Sequence, residues 1–94
     1  MGYSDFEWDE AKSEACFRER GFDFVYLTAG FTDPARVTWV DNRYDYGETR
    51  YVMICAIEQR HFVVVFTIRS RKIRIISGRK ANNRERAMYD SRAT

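Results

Sequence analysis

The sequence predicts an α+β domain in which two N-terminal helices pack on an antiparallel β-sheet of about four strands, followed by a C-terminal helix. Three observations lead there. Asp9 and Gly21 bracket a stretch with an acidic start and a basic end, as an N-cap and a left-handed C′ residue bracket a helix. Residues 51–69 alternate in hydropathy with period two. Asn82 precedes Glu85 by three residues, the spacing of a capping box, with Asn in place of Ser or Thr.

Taken in order, Phe6-Glu7-Trp8-Asp9 leads into the first helix over Glu10 to Arg20, where Trp8, Ala11 and Ala15 make a narrow apolar stripe flanked by Cys16. Asp23 caps a second short helix over residues 23–29, with Phe22 and Tyr26 spaced as a hydrophobic staple and Gly30 as its end. Asp33-Pro34 signals a turn. Val37 and Trp39 then alternate with Thr38 and Val40 in a first strand. Residues 41–48 are polar, carry tyrosines and Gly47, and read as a loop. The next strand, Tyr51 to Ile57, sets Tyr51, Met53, Cys55 and Ile57 against Val52, Ile54 and Ala56.

The stretch over residues 61–80 joins the most apolar run to the densest positive charge. Phe62, Val64, Phe66 and Ile68 form one face, which calls for a helix layer. His61, Val63, Val65, Thr67 and Arg69 form the other, which ends in a hydroxyl and a guanidinium and can meet both water and a ligand. Ser70, Arg71 and Lys72 break the run before a second β-branched strand over residues 73–77. The hairpin is expected to gather Arg69, Arg71, Arg74, Arg79 and Lys80 into one small patch, whose self-repulsion a polyanion would relieve. A last helix over residues 83–92 closes the chain, and the order of elements places the helices on one sheet face.

Ninety-four residues with 45% hydrophobic content support one modest core and no second domain. Residues 62–66 are far too few to span a bilayer and no charged-then-apolar leader precedes them, so a cytoplasmic, membrane-free protein is expected. Residues 1–4 carry no pattern. Cys16 and Cys55 suit buried thiols, and one histidine excludes most zinc arrangements, so no metal or cofactor is expected. The net charge of +2 conceals an asymmetry: residues 1–47 hold five Lys/Arg against ten Asp/Glu, or −5, and residues 48–94 hold eleven against four, or +7. Such polarity points to an anionic partner at the basic end, or to basic residues that only solvate a sheet and a helix.

No nucleophile elbow, P-loop, dinucleotide fingerprint or metal-ligand spacing is present. Cleavage of RNA is one reaction open to a few polar and cationic groups, because the ribose 2′-hydroxyl supplies the nucleophile. The protein then needs a base, an acid and positive groups aimed at the developing phosphorane. Arg69, Arg79 and Lys80 suit the last role, His61 titrates near neutrality, and a lysine crowded by arginines could serve as a base. Each has a plainer alternative. A histidine at a strand start, as His61 is, is more often a solvated turn neighbour than a catalyst; Tyr89 reads as a core-edge residue or a base-stacking ring, and Glu85 as a helix cap rather than a base. Tyr44, Tyr46 and Tyr51 read as structural.

These residues, in order along the chain, resemble the BrnT family of bacterial type II toxins. The matching pieces are Phe6-Glu7-Trp8-Asp9 with Lys12, Arg20-Gly21, Phe24, Phe31, Asp33-Pro34, Gly47-Glu48 with Arg50-Tyr51, Val64-Val65-Phe66-Thr67 with Arg69, Arg74-Ile75-Ile76-Ser77-Gly78-Arg79-Lys80-Ala81, Arg84-Glu85-Arg86 and Tyr89. Cys16 and Arg20 depart from the Asn and His that members often carry, within a helix read as scaffold. The resemblance implies a RelE-like fold and a metal-independent endoribonuclease that blocks translation and growth. It also implies a BrnA-type antitoxin that neutralises the toxin and alone brings the pair to operator DNA. By motif it transfers Arg79, Lys80 and Tyr89 to the scissile phosphate. His61 and Arg69 rest on the strand-face argument, and Arg74, Arg84 and Thr67 are candidate RNA contacts. A binding module without turnover, using the same basic hairpin, is the competing reading. The chain shows no recognition helix for reading DNA itself.

Overall fold

In the computed structural model of the protein, residues 5–93 are described; the patternless residues 1–4 lie outside them, as does Thr94. A five-stranded mixed sheet, ordered β1-β5-β4-β3-β2, carries helices on both faces. Its strands are β1 (Phe6–Trp8), β2 (Val37–Val40), β3 (Tyr51–Ile57), β4 (Arg60–Arg69) and β5 (Lys72–Lys80). The helices are α1 (Glu10–Arg20), α2 (Phe24–Leu27), which runs on into a 3₁₀ turn over Thr28–Thr32, and α3 (Asn83–Ala93).

Two of these features correct the sequence reading. The lead-in to the first helix is itself a strand: β1 pairs in parallel with β5, Phe6 opposite Ile73 and Trp8 opposite Ile75, so the sheet is neither four-stranded nor wholly antiparallel. Three residues are too short a run for periodicity to declare. The helices also do not share a face. α1 and α2 cover Phe62, Val64, Phe66, Ile73 and Ile75, whereas α3 lays Tyr89 over Val37, Val52, Ile54 and Val63 on the other side.

The caps act as their residue types require. Asp9 Oδ1 accepts the Ala11 and Lys12 amides, and Gly21 closes α1 at φ 89°. Asn82 and Glu85 exchange both capping-box hydrogen bonds, at 2.8 and 2.9 Å. The buried side of α1 is Ser13 and Cys16 rather than the alanines, because Ser13 Oγ accepts the Phe24 amide and Cys16 Sγ reaches the Gly78 carbonyl. Gly30 does not end the second helix but sits inside the 3₁₀ turn. At Gly78 a Cβ would stand 2.2 Å from Leu27 Cδ1 in the packed core, so only glycine lets α2 settle on β5.

β5 runs three residues beyond the expected Ser77, to Lys80. Along it a bulge decides which charges share a face. Val65 pairs Ser77 but Phe66 pairs Ile75, leaving Ile76 as the extra residue. Arg74 and Arg79, five apart, would point to opposite faces in a regular strand; the inserted residue returns both to the α3 side, opposite Thr67 and Val63.

Candidate functional site

On the α3 side the sheet is covered at its two ends and open between them. Tyr89 of α3 closes one end. At the other, residues 41–50 fold back: the Asp41 amide donates to the Arg50 carbonyl, and the Thr67 hydroxyl donates to the Thr49 carbonyl at 2.6 Å. The open middle is a groove of about 630 Å³. Its floor is Val52, Val63 and Val65; one wall is Ser77, Gly78 and Arg79 with Arg20 from the end of α1; the other is Trp39, Val40 and Asp41, with Asn42 and Arg43. Glu85 faces in from α3.

Strand periodicity built this floor. Trp39 pairs Val52, Val52 pairs Val65 and Val65 pairs Ser77, so four adjacent strands deliver one continuous row. Because the floor is apolar, polar groups at its walls face less competition from water than on an open surface. Trp39 keeps 38% of its surface exposed, an aromatic plane at the groove's lip.

The walls hold three guanidiniums against two carboxylates. Arg79 donates from Nη1 and Nη2 to the two Glu85 oxygens at 2.8 and 2.7 Å, and this pairing lowers the Glu85 carboxyl below its ordinary range and raises Arg79. Arg43 grips Asp41 in the same bidentate way, at 2.9 Å for both bonds, and Tyr46 adds a third at 3.0 Å. The Arg43 hydrogen bonds hold the Asp41 carboxyl far below the usual carboxylate range. The Arg20 side chain has no hydrogen bond or ion pair among the described residues.

The sequence candidates are distributed differently from the single patch expected. Arg79 alone of them lines the groove. Arg69 and Arg74 share its face, but Arg69 lies six residues along β4 from Val63, the partner of Arg79, or roughly 20 Å at strand rise. Each is matched with acid: Arg69 with Glu48 at 2.8 Å and Arg74 with Glu7 at 3.7 Å. Lys80 pairs Phe62 and faces the α1 side, because neighbours in a strand point to opposite faces. Arg71 sits in the β4–β5 turn, at φ 68°. The patch dissolves because β5 is longer than predicted and its residues alternate.

The remaining candidates lie on or beside α3, except Thr67, which lies at the far end of the groove. Tyr89 is buried, its hydroxyl donating to Asp33 Oδ2 at 2.8 Å; burial first, then this bond, push its phenol up to about 12. His61 packs edge-on against the Tyr89 ring at 4.7 Å, with Nε2 3.9 Å from Asp90, and is not part of the groove lining. Thr67 is buried, its hydroxyl spent on Thr49. Arg84 stands beside Trp39 and Met88 in a smaller hollow next to the groove. Among the described residues no cluster of three or more His, Cys, Asp or Glu is arranged to hold a metal ion, and Cys16 and Cys55 are buried free thiols.

Sequence reasoning missed Arg20, Trp39 and Arg43 as groove residues. Trp39 was legible, since its alternation with Val37 already set it on one sheet face. Arg20 lay in a helix read as scaffold, and Arg43 in a loop without periodicity, so neither carried a signal.

No curated protein sequence matches the chain. The family described as ribonuclease toxin, BrnT, of type II toxin-antitoxin system matches residues 8–85, a span from Trp8 to Glu85 that takes in every residue lining the groove. The chain therefore belongs to the BrnT family of ribonuclease toxins of type II toxin-antitoxin systems.

Proposed function

We propose that the chain cuts single-stranded RNA in this groove, without a metal ion, by in-line attack of the ribose 2′-hydroxyl on the adjacent phosphorus. The observation that carries the reading is the Arg79–Glu85 pair, set in the wall of a hollow that also holds Arg43 and Arg20, whose side chain is unpaired among the described residues. A phosphodiester entering the groove offers the Arg79 fork a second planar partner, matched to it as well as a carboxylate is. As Arg79 moves to the phosphate, Glu85 loses the hydrogen bonds that depress its pKa and becomes a better base for the 2′-hydroxyl proton. The 2′-oxygen bonds to phosphorus, the bond to the 5′-oxygen breaks, and the leaving oxygen takes a proton from water. The products are a 2′,3′-cyclic phosphate and a 5′-hydroxyl. Arg43 and Arg20 offset the charge gained by the phosphorane, and Trp39 stacks a base.

In this reading Tyr89 and His61 position α3, and Glu85 with it, while Arg84, Arg74 and Arg69 continue the cationic face for flanking phosphates. The cellular consequences follow the same line: an RNA-cutting toxin acting in the cytoplasm, halting translation and growth, silenced by a BrnA-type antitoxin through which alone it meets operator DNA. The engaged state of both groove carboxylates also suits a holder of RNA that does not cut it.

Product chemistry separates the two. Purified protein incubated with RNA and chelator is expected to leave 2′,3′-cyclic phosphate ends, and to spare a substrate with deoxyribose at the cut position. Intact RNA bound by the protein would replace the enzyme with the holder; cleavage of the deoxy substrate would remove the 2′-hydroxyl mechanism.

A further inference from the structure

A second hollow, of about 310 Å³, lies on the opposite face of the sheet, under the C-terminal end of α1, and the proposed function leaves it unused. Phe17, Phe22 and Tyr26 line it together with Arg20, Arg60 and Lys80. Its two carboxylates are already occupied: Asp23 caps α2 by accepting the Tyr26 amide at 2.9 Å, and Glu58 accepts the Tyr26 hydroxyl at 2.7 Å. Its three cationic side chains have no hydrogen bond or ion pair among the described residues. Phe17 leaves 58% of its surface in water at the rim, an aromatic face that α1 does not need for its own packing.

This hollow and the groove are separated by one strand. β1 covers only residues 73–75 of β5, so beyond Ile75 that strand is the sheet's edge, with Arg79 turned to the groove and the adjacent Lys80 turned to the hollow. Arg20 stands beside this edge and lines both spaces. A chain of phosphates leaving the groove past Arg79 therefore finds cations in succession around the edge, first Arg20, then Lys80 and Arg60.

We infer that the hollow is a second RNA subsite, which seats the nucleotides flanking the groove after the strand has bent around the edge of β5. Lys80 and Arg60 take phosphates and Phe17 stacks a base, the pairing of cationic groove and aromatic platform by which single strands are held without sequence preference. The inference rests on the groove being an RNA site and extends it in length. It assigns Lys80 to substrate hold rather than to chemistry.

The test compares a trinucleotide, which fills only the groove, with an RNA of about ten nucleotides, within the range one single-strand-binding unit covers. Wild-type protein, the double variant Arg60→Ala with Lys80→Ala, and Phe17→Ala are assayed for Kd, kcat and KM, and circular dichroism checks folding. All three substituted side chains are exposed, so folding is expected to persist. The double variant should bind the longer RNA about tenfold or more weakly, with a salt slope shallower by about 1.4, while trinucleotide binding and kcat stay at the wild-type value. Equal losses on both lengths, or no loss on the longer, would overturn the subsite and leave the groove reading intact. If wild-type protein binds neither RNA, both fall. A loss seen only in antitoxin binding would hand the hollow to the protein partner and overturn the RNA assignment.

Discussion

Tyr89 donates its phenolic hydrogen to Asp33 at 2.8 Å, and through this bond the last helix is tied to the turn that enters β2, fifty-six residues earlier. Asp33 also accepts the amides of Ala35 and Ala56, at 2.9 and 2.8 Å. One half-buried carboxylate thus fixes a turn, a central strand and α3, and α3 carries Glu85 to the groove. Burial works against the Asp33 charge, but the three hydrogen bonds outweigh it and lower its pKa.

Tyr89→Phe removes that bond and keeps the ring that packs on His61. A loss of about 1.5–3 kcal/mol in unfolding free energy is expected, the range for a hydrogen bond to a charged group, measured by urea titration. The difference between wild-type and variant phenolate spectra should titrate near pH 12. A difference titrating at the ordinary 10.0 would mean that Tyr89 is not buried against Asp33.

Acid should loosen α3. The carboxyls of Asp33 and Glu85 both titrate lower in the folded chain than their ordinary values of 3.8 and 4.5, so their stabilisation is complete above those values and is lost as pH falls through the folded ones. The unfolding midpoint is expected to be flat in this respect from neutrality to about pH 5 and to drop below about pH 4. In Glu85→Gln the drop should shrink. A drop of the same size in that variant would remove Glu85 from the linkage.

Arg79→Lys keeps a charge but loses the fork that serves Glu85 in the free protein and phosphate in the proposed complex. RNA cleavage should fall by about 10²-fold, with stability changed by less than about 1 kcal/mol. Glu85→Gln preserves the capping box, since Gln can still accept the Asn82 amide, yet should also cut the rate. Unaltered cleavage in both variants would place the chemistry elsewhere.

Gly78→Ala puts a methyl group against Leu27 in a fully buried site. A loss of about 1–3 kcal/mol is expected, the range for overpacking a well-filled core. Gly78→Ala combined with Leu27→Ala should recover part of the deficit relative to the two single changes added together; strict additivity would deny the contact.

Local signals carried the elements whose determinants are close in sequence. The Asp9 and Gly21 caps, the Asn82–Glu85 box and the two-faced alternation of β3 and β4 all appear in the fold, because each depends on residues within a turn or a pleat of one another. The basic hairpin was equally legible as composition. What those charges do was not, since every sequence candidate from Arg69 to Arg79 on the groove side meets a carboxylate from a different element: Glu48, Glu7 or Glu85.

By itself the sequence determined the α+β class, the capped helices, the alternating strands and the family to which the chain belongs. Only the tertiary structure decided that β1 joins the sheet in parallel, that a bulge at Ile76 turns Arg74 and Arg79 to one face while Lys80 takes the other, and that Arg20 and Arg43 both line the groove floored by Val63 and Val65. The reason is physical. Period and capping are local properties of a chain, whereas strand register and the closing of a groove depend on contacts between residues far apart in sequence, and a shift of one residue in register moves each charge to the other face.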